Sequence, residues 1–267
     1  MKLSALARDS KTLAGSRPAL LPGGTTGVLL LHGFTGTPRD LAGLARRLHG
    51  SGFTVSLPRL PGHGTNGGDF LQSGWRDWLR AAADAWMDIA GRCEKVHLVG
   101  YSMGGVLAAM LAAHFPVSRL VLVAPALRTK NPLLPLSPLL GLFLRRTARR
   151  MDPSTVAKDE ESQSLAREYW HWRYPRQASS LLWLQRRANR ALRAVTADTL
   201  TIVGTADSSV PVSVIAHVEK RIAARARHHV VLEGARHSIF AGPAADTVID
   251  ETVRWLTRPD APATVRT

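Results

Sequence analysis

Val99-Gly100-Tyr101-Ser102-Met103-Gly104-Gly105 lies between the apolar run Val96, Leu98, Val99 and the helical pattern Val106-Leu107-Ala108-Ala109-Met110-Leu111-Ala112-Ala113. A serine on a sharp turn between a buried strand and a helix is lifted above the edge of the sheet. Gly100 and Gly104 let backbone and helix pass close to it without a Cβ in the way. A glycine-x-serine-x-glycine string arises often by chance. The strand before it and the helix after it are what give this one weight.

Working outward, Val28-Leu29-Leu30-Leu31 is a continuous apolar run of the kind found in a strand buried on both faces, and it ends in His32-Gly33-Phe34-Thr35-Gly36. Thr37-Pro38-Arg39-Asp40 supplies a capping hydroxyl, a proline for the first helical position and an acid for the first turn of a helix running to about His49. Phe53 to Leu57 predicts the next strand, and Trp75, Trp78, Leu79, Ala82, Ala85, Trp86 and Ile89 predict a helix over about 74 to 91. Strand patterns return at Leu120 to Val123, Leu200 to Gly204 and Val230 to Glu233. Helices are expected from about Pro211 to Ala223 and through Val248, Val253 and Leu256. Such alternation implies a mostly parallel central sheet with helices on both faces.

The alternation is interrupted over about 127–197. This stretch opens proline- and leucine-rich at Asn131 to Leu144, passes the acidic Asp159-Glu160-Glu161, and carries Tyr169, Trp170, Trp172 and Tyr174 without any strand pattern. It is expected to be a helical cap inserted after a sheet strand, on a single domain whose core spans about 18–126 and 198–258.

Composition narrows the partners. The 267 residues are 45% hydrophobic, enough to fill one such domain, and the lone Cys93 excludes an internal disulfide or a cysteine-rich metal site. Neither a metal nor an organic cofactor is expected. The formal net charge of +15 raises the question of nucleic acid. The basic pairs are scattered, at Arg46-Arg47, Arg145-Arg146, Arg149-Arg150, Arg186-Arg187 and Lys220-Arg221, with no nucleic-acid motif beside them, so no nucleic-acid partner is expected. Met1 to Asp9 lacks the apolar stretch of a signal peptide, and no segment approaches a membrane span, so a cytoplasmic protein is expected. Leu133 to Leu144 beside its arginines reads as an apolar patch with a basic edge, suited to transient contact with a lipid surface.

A serine hydroxyl is a poor nucleophile unless a base takes its proton, and that base needs an acceptor to hold its ring in one tautomer. Asp207, after the strand Leu200 to Val203, and His237, after Val230 to Leu232, are the candidate orienter and base for Ser102. His32 is expected to brace the neighbouring loop, His63 precedes the serine in the chain, and His228 and His229 begin a strand. Asp152, Asp159 and Asp198 fall in or beside the insertion, and Asp246 and Asp250 on the last helix. The negative oxygen formed on attack needs two backbone N–H groups, assigned to Met103 and Phe34, with Gly33 permitting close approach.

At these residues the chain resembles the α/β-hydrolase superfamily, and more narrowly the bacterial thermostable carboxylesterases and monoacylglycerol lipases. The resemblance rests on Leu29 to Gly36, Pro61-Gly62-His63-Gly64, the Ser102 turn, Asp207 with Val210-Pro211, and Gly234 to His237. It implies the α/β-hydrolase fold, a helical cap, and cofactor-free hydrolysis of small carboxylic esters of short to medium acyl chains, monoacylglycerols among them. Relatives acting as haloalkane dehalogenases or epoxide hydrolases carry aspartate where Ser102 stands. Thioester and C–C bond hydrolysis use the same three side chains, and a pure ligand-binding role on this fold is the reading from another class.

Overall fold

A computed structural model describes residues 11–150 and 156–259. Met1 to Asp9 and Asp152 lie outside the described residues. Seven strands form one sheet in the order β1 (Ala19–Leu21), β3 (Thr54–Leu57), β2 (Thr26–Leu31), β4 (Lys95–Tyr101), β5 (Arg119–Val123), β8 (Asp198–Gly204) and β9 (Arg227–Leu232). All neighbours run parallel except β1, which lies antiparallel on β3. This is the α/β-hydrolase fold.

The apolar runs are continuous because both faces of the sheet are covered. Leu29, Leu31 and Leu98 pack with Trp78 and Trp86 of α3 (Trp75–Ala90) and with α4 (Met103–Ala112). Val28, Leu30 and Val99 face the other way, onto α1 (Ala42–Gly50) and α9 (Ala245–Leu256) through Leu44, Leu48, Val248 and Trp255. Every residue of α4 is buried, so among the described residues it is the helix without a solvated stripe.

Between β5 and β8 the chain forms α5 (Ser137–Phe143), α6 (Glu160–Leu165), a π-helical turn (Ala166–Trp170) and α7 (Pro175–Ala191). The sequence shows no strand here, yet Thr147–Ala148 (β6) pairs antiparallel with Trp172–Arg173 (β7). Two residues are too few for a period-2 signal. Other departures are local. The segment α2 (Gly67–Phe70) is a single turn in a loop, and the helix expected over about 211–223 is only α8 (Val214–Glu219). The helix after Thr37 begins as a 3-10 turn, Pro38–Leu41, capped by the Asp40 carboxylate accepting from the Thr37 N–H at 3.0 Å rather than by the threonine hydroxyl. Among the described residues, no helix is long and apolar enough to cross a membrane.

Register positions the loops that follow. Leu31 pairs with Gly100, so His32-Gly33-Phe34 and Tyr101-Ser102-Met103 leave adjacent strands side by side. Gly204 pairs with Leu232, which does the same for the loops carrying Asp207 and His237. Helix α4 can start this close to β2 only because residue 104 is glycine. A Cβ there would lie 1.9 Å from the Leu31 carbonyl oxygen, and one on Gly100 would lie 2.3 Å from that of Gly104. Gly104→Ala is therefore expected to cost about 3 kcal/mol or more in urea unfolding. Gly91→Ala, whose added carbon meets nothing closer than 3.4 Å, serves as the tolerated control. Equal midpoints for the two variants would refute the close passage.

Candidate active site

Ser102 occupies the left-handed region, with φ 55°, a conformation that survives only where its surroundings fix it. Here the Ser102 N–H donates to the Val123 carbonyl at 2.9 Å, and its own carbonyl accepts from Gly105 and Ala126, each at 3.0 Å. The turn is thus fastened to β5 as well as to its own helix. Its side chain comes within 3.0 Å of His237 Nε2, and His237 Nδ1 within 2.7 Å of Asp207 Oδ2.

The other Asp207 oxygen accepts from the N–H groups of Ser209 at 2.7 Å and Val210 at 2.8 Å. Burial alone would raise the Asp207 carboxyl. The hydrogen bond and charge of His237, with those two N–H groups, outweigh it and hold Asp207 below the usual carboxylate range. An ionised carboxylate only accepts, so Nδ1 of His237 carries the hydrogen and Nε2 presents its lone pair to the Ser102 hydroxyl.

Two residues without a sequence signal tighten this chain. The Tyr101 hydroxyl donates to the His237 carbonyl at 2.7 Å, and burial, with the charges of Asp40 and Asp207, raises its pKa so that it stays a donor. Lys130 donates through Nζ to the Asp207 carbonyl at 2.6 Å and through its own N–H to Ser209 at 2.8 Å. Lys130 lies 77 positions from its partner. No local pattern could have paired them.

Across the turn, Gly33 faces Ser102, and a Cβ on it would lie 3.2 Å from that of the serine. Met103 opens α4, where first-turn N–H groups have no partner within the helix. The Phe34 ring packs edge-on against Phe70 at 5.3 Å and Trp78 at 5.9 Å. His32 is fully buried, accepts from the Leu60 N–H through Nε2 at 3.1 Å, and so donates through Nδ1 to the Gly33 carbonyl at 3.1 Å.

The remaining candidates lie elsewhere. His63 is buried against His32, Phe70 and Trp78 and bonds Pro61. His229 pairs with Glu219 and His228 stacks on Trp255, both exposed. Asp159 caps α6 and bridges to Arg39, Asp198 accepts from the Ala226 N–H, and Asp250 bridges to Arg47. No group of three or more His, Cys, Asp or Glu able to hold a metal occurs among the described residues.

The insertion docks at this edge largely through main-chain carbonyls of the core. Tyr169 donates to Gly62, Trp170 to Thr35, Gln177 to Leu71 and Gln185 to Ala126, while Asn189 donates to Leu127, where the insertion begins. Leu165 and Tyr169 join the apolar cluster that contains Met103.

A family model described as the alpha/beta hydrolase family matches residues 28–251. The chain belongs to the α/β-hydrolase family. It is 41% identical over 104 residues to a thermostable monoacylglycerol lipase of Bacillus sp. strain H-257, covering 39% of this chain and 42% of that one. It is 31% identical over 116 residues to a carboxylesterase of Bacillus subtilis strain 168, covering 43% and 47% respectively. The matches thus span less than half the length of these two relatives. A monoacylglycerol lipase of Mycolicibacterium smegmatis is 25% identical over 246 residues, covering 86% of this chain and 87% of that one. Among solved structures, one from a study of the metagenome-derived lipolytic enzymes LipS and LipT superposes with a TM-score of 0.83 at 24% identity, over 92% of this chain and 99% of that one. The Paleococcus ferrophilus monoacylglycerol lipase gives 0.72 at 22% identity, over 90% and 97%. Both share the fold.

The buried His32 carries a pH signature. Burial chiefly lowers its pKa to about 4, from an ordinary 6.5. Between those values the unfolded chain binds more protons than the folded one, so acidification across that window removes stability, by about 3 kcal/mol for this residue. Asp40, raised by burial from 3.8 to about 6, works in the opposite sense. The readout is therefore a difference. His32→Asn, which keeps a donor for Gly33, should flatten the loss of urea stability between pH 6.5 and pH 4, and parallel curves would contradict this.

Proposed function

We propose that this chain is a serine esterase that cleaves small carboxylic esters of short to medium acyl chains, monoacylglycerols among them. The observation that carries the reading is the unbroken contact chain from the Ser102 hydroxyl through His237 to Asp207, at 3.0 and 2.7 Å, on a turn that holds the serine at φ 55°. In this reading Ser102 attacks the ester carbonyl while His237 takes its proton and passes it to the leaving alcohol. Asp207 keeps the imidazole in the required tautomer and stabilises its charged form. The N–H groups of Phe34 and Met103 hold the oxyanion, and water activated by His237 then releases the acid. The reaction so written uses no metal and no organic cofactor. The printed functions of the Bacillus and Mycolicibacterium relatives support the same class.

The insertion 127–197 serves as a cap over the serine, which is only 8% exposed. It holds 14 basic and 5 acidic residues, +9 of the chain's +15. Its α5 region presents Leu139, Leu142 and Phe143 at 59%, 75% and 78% exposure beside Arg145 and Arg146. An apolar face with a basic rim suits brief contact with an anionic lipid surface, where amphiphilic esters reside.

With p-nitrophenyl butyrate, Ser102→Ala should lose about 10⁶-fold in kcat and Asp207→Asn about 10⁴-fold. Ser102→Ala retaining near wild-type turnover would overturn the assignment. An acyl series that includes thioesters separates the esterase from a thioesterase, and inertness across it beside tight ligand binding would favour a binding protein. In flotation with phosphatidylglycerol vesicles the protein should be retained, and Leu142→Ser/Phe143→Ser should abolish retention while leaving turnover of soluble ester unchanged. Absence of retention for the wild type would remove the lipid contact.

A further inference from the structure

The indole N–H of Trp170, in the π-helical turn of the cap, donates to the Thr35 carbonyl at 3.2 Å. That carbonyl is one end of the Thr35–Gly36 peptide group. Its other end, the Gly36 N–H, donates to the Gly33 carbonyl at 3.1 Å. The Gly33 carbonyl is in turn one end of the Gly33–Phe34 peptide group, whose other end is the Phe34 N–H. The described peptide bonds are all trans, so N–H and C=O point opposite ways in each group. The two peptide dipoles are therefore coupled in series, with the cap's indole at one end and the Phe34 N–H at the other.

From this geometry we infer that Trp170 is a positioning residue for the oxyanion loop, acting through two peptide groups on the Phe34 N–H. Hydrogen bonds in series polarise one another, so the indole strengthens the last donor as well as fixing its direction. Fixed direction is what gives an oxyanion donor its value, because nothing has to reorient as charge develops. The loop needs such a hold. Thr35 is a β-branched residue at φ 56°, a conformation that it would leave if nothing outside the loop gripped its carbonyl. His32 Nδ1–H grips the Gly33 carbonyl from the core side, and Trp170 grips the next peptide from the cap side. The cap is thereby part of the catalytic apparatus as well as its cover.

This rests on the reading of Ser102 as nucleophile and Phe34 as oxyanion donor, and the two can fail separately. Trp170→Phe keeps an aromatic ring and deletes the N–H. With p-nitrophenyl butyrate, kcat should fall about tenfold with KM within about twofold of wild type, the pattern of an interaction used only in the transition state. Phosphorylation of Ser102 by diethyl p-nitrophenyl phosphate, whose phosphoryl oxygen seeks the same donors, should slow by the same factor. Trp172→Phe is the control, since its indole donates to Arg167 within the cap, and it should change neither rate. An unchanged kcat for Trp170→Phe, or a loss carried by KM alone, would overturn the relay. If Trp170→Phe does not fold, benzothienylalanine at position 170, the same shape with sulfur in place of N–H, decides by the same two rates. An active Ser102→Ala sinks the esterase reading itself, whereas an inactive Ser102→Ala beside a fully active Trp170→Phe sinks only the relay.

Discussion

The site depends on one steric constraint, the passage of the α4 backbone under the Leu31 carbonyl. Residue 104 has no side chain, and any Cβ there would overlap that oxygen. With the contact in place, the end of β2 and the start of α4 share one small volume. The loop bearing Phe34 and the turn bearing Ser102 then have no room to drift apart. A buried helix with no polar face anchors the arrangement from below, so the strain at Ser102 is balanced by that packing together with the hydrogen bonds its main chain makes to Val123 and Ala126.

Much of this was legible in the chain. The apolar runs at Val28 to Leu31 and Leu120 to Val123 mark strands because a doubly covered sheet demands apolar residues on both faces. The order in which Ser102, Asp207 and His237 follow those strands foretold which loops would meet, since parallel strands bring their carboxyl ends to one edge. What stayed hidden shares a different character. Tyr101, Lys130 and Trp170 act on main-chain atoms far along the chain, and a carbonyl leaves no trace in sequence. The edge strand β1, with its half-exposed Leu20, resembles any polar lead-in. At Thr37-Pro38-Arg39-Asp40 a hydroxyl signal and an acid signal coincide, and it is the Asp40 carboxylate that accepts from the Thr37 N–H.

Histidines divide by environment. His32 and His63 are kept neutral by burial, which makes each a fixed donor and not a proton carrier. His237 alone combines partial exposure, 27% for its side chain, with a buried carboxylate behind it. The base proposed for Ser102 is thus the histidine with room at one nitrogen and a permanent acceptor at the other.

The docking of the insertion onto core carbonyls has an evolutionary corollary. Because Thr35, Leu71 and Ala126 offer only backbone oxygen to Trp170, Gln177 and Gln185, a change of side chain at these three positions leaves the acceptor in place, whereas Gly62 is held by its own turn, at φ 79° with a Cβ that would lie 2.3 Å from the Ser73 hydroxyl oxygen. The partners Trp170, Gln177 and Gln185 enjoy no such freedom. Divergence along this seam is one-sided, and a lineage can refashion the upper half by trial while the lower half keeps its chemistry intact.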